Sequence, residues 1–139
     1  MWKELIQRMD TFEQELKLLR DGGLKSSPLR KEYEHKVHAL KALPEQLKAE
    51  GKNEEEIARI MHDERRRLGK IYKEAAPPIF REYIYAATAA KYGDPLGPTY
   101  EMLRTRKTSA QIIESASRPI KDLDDRLSVE GFQKWYENK

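Results

Sequence analysis

The stretch 53-NEEEIARIMHDERRRLG-69 decides the fold, because every signal in it points to one element. Asn53 is an N-cap residue, and Glu54, Glu55 and Glu56 meet the positive end of a helix dipole. Arg65, Arg66 and Arg67 meet the negative end, and Gly69 is expected to stop the helix. Ile57, Ile60, Met61, Leu68 and Ile71 recur at helical spacing and are expected to form its buried stripe. The rest of the chain repeats this style. Charged residues make up 37% and hydrophobic residues 38%, a charged share well above the usual ~25%. Long charged side chains favour helix, and the β-branched and aromatic runs that strands need are scarce.

Working outward, Leu5, Met9, Phe12, Leu16 and Leu19 give a first helix with one buried stripe, ended by Asp21-Gly22-Gly23. Ser26-Ser27-Pro28 caps and starts a second, with Tyr33, Val37 and Leu40 inward and a kink or restart at Pro44. Past Gly69, Pro77-Pro78 opens a helix to about Lys91 whose core face is Phe80, Tyr83, Ile84 and Ala87. Its alanines mark it as the expected central packing helix. Thr99 to Arg106 is expected to be a short helix. Thr108 starts another with Gln111 in capping-box position, Pro119 ends it, and Ser128 caps a last helix sealed by Phe132, Trp135 and Tyr136. The expectation is an all-α, single compact bundle of about six or seven helices over residues 1–139, with functional loops around 92–98 and 117–121.

Composition narrows the chemistry. With 27 basic and 24 acidic residues the net charge is +3, a mild excess compatible with nucleic acid. Its distribution says more: Arg104, Arg106, Lys107, Arg118 and Lys121 are opposed by one acid, Glu114, which predicts a local basic face. Cysteine is absent, so disulfides, thiolate metal sites and a cysteine nucleophile are excluded. No apolar run approaches the ~18 residues of a membrane span, and Met1-Trp2-Lys3-Glu4 does not open a signal peptide. No Walker loop, GxGxxG, GxSxG or zinc spacing is present, so no metal and no cofactor is expected.

The candidate groups lie near the irregular stretches. His62 shares neighbouring helix faces with Arg65 and Arg66 and is a candidate general acid or base; its alternative is a boundary histidine. His35 and His38, spaced i, i+3, read as a surface pair. Asp94, between glycine and proline, is either a poised carboxylate or the anchor of an Asx-type turn, with Tyr92 and Thr99 as flanking donors. Glu114, Ser115, Ser117 and Arg118 form the last group: helix-end capping on one reading, and on the other an arginine presented to a phosphate with Glu114 moving a proton. The segments from Leu47 and from Leu103 echo each other as helix end, basic turn and capped helix. That is an αα-hairpin pattern shared with helix-turn-helix DNA readers.

YGDPLGPTYEMLR followed by IIESASRP resembles the closing segment of C-terminal toxin modules of bacterial polymorphic toxins, of the contact-dependent growth inhibition and Rhs types. The similar stretch begins around IARIMHDERRRLG and runs to about Asp122. The resemblance implies an antibacterial effector, secreted or delivered from a cell surface as part of a larger protein and acting in the target-cell cytoplasm. A cognate immunity protein would neutralise it. Many such modules are nucleases, several of them on tRNA, so a metal-independent ribonuclease is the expectation. On that analogy His62, Asp94, Glu114 and Arg118 are catalytic candidates. Arg65, Arg66, Tyr92, Thr99, Arg104, Arg106, Lys107 and Ser117 are candidates for holding RNA. The alternative is a non-enzymatic helical module, either a helix-turn-helix-like nucleic-acid binder or a protein adaptor. No oligomer is indicated.

Overall fold

The helix from Asn53 forms as its caps require and then runs further than its glycine suggests. The computed structural model describes residues 2–21, 28–119 and 129–138. In it, the Asn53 side chain accepts from Glu56 N (2.8 Å) and the Glu56 carboxylate accepts from Asn53 N, a closed capping box. The helix spans Glu54–Glu74. Gly69 therefore lies inside it, where a glycine costs about 1 kcal/mol relative to alanine. Burial of Tyr72 beyond it offsets that cost, and the helix ends before Pro77-Pro78.

In chain order the α-helices are α1 (Trp2–Arg20), α2 (Pro28–Ala39), α3 (Leu43–Ala49), α4 (Glu54–Glu74), α5 (Pro78–Tyr92), α6 (Tyr100–Leu103), α7 (Ser109–Ala116) and α8 (Val129–Glu137). A 3₁₀ turn over Leu40–Ala42 joins α2 to α3, so the restart expected at Pro44 falls at Leu43 and places the proline in the first turn of α3. Counting that bent run as one rod gives seven helical rods and no strand among the described residues. The fold is an all-α bundle. The cap at Ser26-Ser27, the glycines Gly22-Gly23, the cap at Ser128, Lys121 and the end of the 117–121 loop lie outside the described residues.

The central packing helix is α4, which contacts α2, α3, α5, α6 and α7, not the alanine-rich α5. Its buried stripe is Ile57, Ala58, Met61, His62, Leu68, Gly69, Tyr72 and Lys73. Ile71, expected inside, is 49% exposed. One hydrophobic cluster joins Phe12 and Leu16, Tyr33 and Val37, Met61, Phe80 and Ile84, Ala116 and Phe132 across the helices. In α1 only the second half docks: Phe12, Glu15 and Leu16 are buried, whereas Leu5 and Met9 are exposed along with Trp2 and Ile6. The periodic stripe is longer than the surface that receives it.

Glu15 has a specific task. Pro77 and Pro78 carry no N–H, so the only free donors in the first turn of α5 are those of Ile79 and Phe80. The Glu15 carboxylate accepts both, at 3.1 and 2.7 Å. A side chain from α1 thus serves as the missing cap of α5.

Candidate functional site

His62, Arg65 and Arg66, at i, i+3 and i+4 of α4, share one helix face, and each fastens a turn to that face. The loop after α5 begins with Gly93 and contains Gly97, both in the left-handed region (φ 77° and 94°). Asp94-Pro95-Leu96-Gly97 is closed by Gly97 N donating to Asp94 O (3.1 Å), and Asp, Pro and Gly stand where a type I turn favours them. Asp94 Oδ1 accepts from Leu96 N (2.8 Å) and from Arg66 Nη2 (2.5 Å). The Asx-type turn is therefore formed, and Arg66 holds it from 28 residues away. His62 Nε2 donates to the Pro98 carbonyl (2.7 Å); since a carbonyl only accepts, Nε2 carries the hydrogen and Nδ1 the lone pair. On the other side α7 lies along α4, and Arg65 Nε donates to the Arg118 carbonyl (2.9 Å). The two bends, 93–98 and 117–118, thus meet the same turn of α4.

Between them lies a cavity of about 340 Å³. Its polar lining comprises His62, Arg65, Lys73, Thr88, Tyr92, Arg106, Lys107 and Ser115, and its apolar lining includes Ile84, Leu96, Pro98 and Leu103. Among the described residues, four cations and no carboxylate line it. Lys73 is 4% exposed and His62 3%, so these form the inner wall, while Arg106 and Lys107 are exposed and stand at the mouth.

Of the residues singled out in the sequence, His62, Arg65, Tyr92, Arg106, Lys107 and Ser115 line this cavity. Tyr92 does so as the last residue of α5 and not as part of the loop. The others stand elsewhere. Arg66 and Asp94 are engaged with each other behind the loop. Glu114 and Arg118 form an exposed ion pair with each other one helical turn apart. Thr99 caps α6 by accepting from Met102 N (3.3 Å), and the Ser117 hydroxyl donates to the Glu114 carbonyl (2.9 Å). Arg104 pairs with Glu101 and Glu55 on the surface. His35 and His38 are both exposed.

Two lining residues were not marked in the sequence, Lys73 and Thr88. Lys73 follows Arg66 by seven residues and Arg65 by eight, so it falls on the same helix face once α4 is continued through Gly69. Ending the helix at the glycine hides it.

Burial lowers the His62 pKa, and the positive Arg65 adds to this against the opposing pull of the Pro98 carbonyl. The Leu96 N–H, then Arg66, holds the Asp94 carboxyl below its ordinary value. Both shifts make the fold sensitive to acid. A histidine depressed in the folded state contributes stability that is whole above its unfolded value of about 6.5 and is lost as pH falls from there through the folded value. Asp94 behaves likewise at lower pH, below about 4. Urea denaturation followed across pH 8 to 3 is expected to show both stages, and His62→Gln should abolish the upper one. A wild-type profile flat between pH 7 and 5 would contradict the buried neutral imidazole.

Among the described residues no group of three or more His, Asp or Glu side chains stands close enough to hold a metal ion, and no helix is long and apolar enough to cross a membrane. No family model, no curated protein and no solved structure matches this chain.

Proposed function

We propose that this chain is an antibacterial effector domain that cleaves RNA, tRNA among the candidates, without a metal ion. The observation that supports this reading best is the cavity that, among the described residues, is lined by four cations and a buried neutral histidine and by no carboxylate. Such a lining attracts a phosphate diester, and none of the described lining residues carries a like charge to repel it. Delivery into the cytoplasm of a target cell and restraint by a cognate immunity protein belong to the same proposal. They rest on the likeness of the stretch from IARIMHDERRRLG to about Asp122, carried by YGDPLGPTYEMLR and IIESASRP, to polymorphic-toxin modules.

In the proposed reaction the grip on the phosphate passes from Arg66 and Arg118, both engaged by carboxylates, to Arg65, Arg106 and Lys107. His62 Nδ1 takes the proton of a ribose 2′-hydroxyl, whose oxygen attacks the adjacent phosphorus. The bond to the 5′-oxygen breaks, that oxygen takes a proton from water at the cavity mouth, and the hydroxide left there takes the proton held by His62, leaving a 2′,3′-cyclic phosphate, a 5′-hydroxyl and a neutral imidazole. Asp94 acts as a positioning residue that holds the loop carrying Leu96, Gly97 and Pro98.

The test is incubation of total RNA with the wild-type protein and with His62→Gln and Arg106→Gln/Lys107→Gln variants. Wild type is expected to produce fragments ending in cyclic phosphate, His62→Gln to cut about 100-fold more slowly or worse, and the double variant at least roughly tenfold more slowly. RNA left intact by folded wild-type protein would end the proposal. The helix-turn-helix alternative is less well supported, because the second helix of its first hairpin, α4, is packed against five other elements. A duplex-DNA affinity that falls steeply with salt would revive it.

A further inference from the structure

We infer that the cavity admits a single nucleotide drawn out of its stack, so that the RNA recognised here is unpaired at the bound position; this rests on the ribonuclease reading and narrows its substrate. At about 340 Å³ the space sits at the small end of the ~300–1,000 Å³ found for small-molecule pockets. A duplex cannot enter such a space, and a continuously stacked strand would present only its outer edge to it.

The lining is divided by depth in the way one nucleotide is divided by chemistry. Arg106 and Lys107 are exposed at the mouth, where a hydrated phosphate meets the least desolvation cost. Farther in, the wall turns apolar with Ile84, Leu96 and Leu103, and Tyr92 adds a phenol ring. That is the surface a flat base covers, as in single-strand binders that use aromatic platforms. An anion without a base would leave the apolar half unfilled, and a base without a phosphate would forgo the cations.

The probes are AMP, CMP, GMP and UMP, with uridine and inorganic phosphate as controls, titrated into the whole chain and followed by amide NMR shifts. At least one nucleotide is expected to saturate a single site, with shifts at Thr88, Tyr92, Leu96 and Gly97 and an affinity at least tenfold above either control. The Arg106→Gln/Lys107→Gln variant, altered only at exposed positions, should lose tenfold or more. An RNA hairpin with one bulged nucleotide should bind at least tenfold more tightly than its fully paired counterpart. Nucleotide shifts no larger than those of phosphate, or equal affinity for bulged and paired RNA, would overturn the inference. Saturable nucleotide binding by a protein that leaves RNA uncut would uphold it and remove the ribonuclease reading. Cleavage of RNA with no mononucleotide site would do the reverse.

Discussion

Replacing Glu15 by alanine is expected to lower the stability of the bundle by roughly 3–6 kcal/mol, from two hydrogen bonds to a charged acceptor at about 1.5–3 kcal/mol each. The carboxylate is 5% exposed and accepts from the N–H groups of Ile79 and Phe80. Because the two prolines at the head of α5 have no N–H, those are the only orphan donors of its first turn, and after truncation nothing replaces their acceptor. The charge also sits at the positive end of the α5 dipole. Glu15→Gln keeps one carbonyl acceptor and should recover about half of the loss. Pro77→Asp in the Glu15→Ala background should recover part of it by a different route, since residue 77 already has the extended backbone of an N-cap (φ −53°, ψ 141°). Chemical denaturation of the four proteins checks the order. Equal midpoints for wild type and Glu15→Ala would refute the cap.

Phe132→Ala should cost a similar amount, about 3–5 kcal/mol. Its side chain is fully buried, with ring centroids of Phe12 and Phe80 at 5.0 and 5.2 Å, both edge-on, and Tyr83 at 5.7 Å. Three helices, α1, α5 and α8, therefore meet on one ring, and an alanine there leaves a void that cannot close without shifting all three. Stabilities of small domains are about 5–15 kcal/mol, so either substitution removes a large share. A denaturation midpoint for Phe132→Ala close to that of wild type would mean that α8 does not seal the core.

The helices were legible wherever local chemistry decides. The N-cap at Asn53, the capping box at Thr108, Pro28 and Pro78 in first turns, and the aromatic positions of the last helix all act within a turn or two of their own residue. What depends on distant partners was harder to read. Periodicity in α1 identifies the apolar face but not how many of its turns are covered, so Leu5 and Met9 read as core and are exposed. Gly69 carries a stop signal that the burial of Tyr72 overrides. For the site, the spacing of His62, Arg65 and Arg66 correctly put three groups on one face. Whether Asp94 is poised or merely holds a turn depended on Arg66, 28 residues away. The Glu114–Arg118 pair is purely local, and reading its i, i+4 spacing as an ion pair would have placed it on the surface at once.

Because the amides of Ile79 and Phe80 are bonded to a side chain from α1 and not to their own helix, their deuterium uptake gauges a single event: detachment of the first helix. Every other helical amide of α5 waits on fraying or unfolding of that helix itself. Comparing the two sets of rates would separate departure of one rod from dissolution of the whole assembly, without adding a label or a mutation.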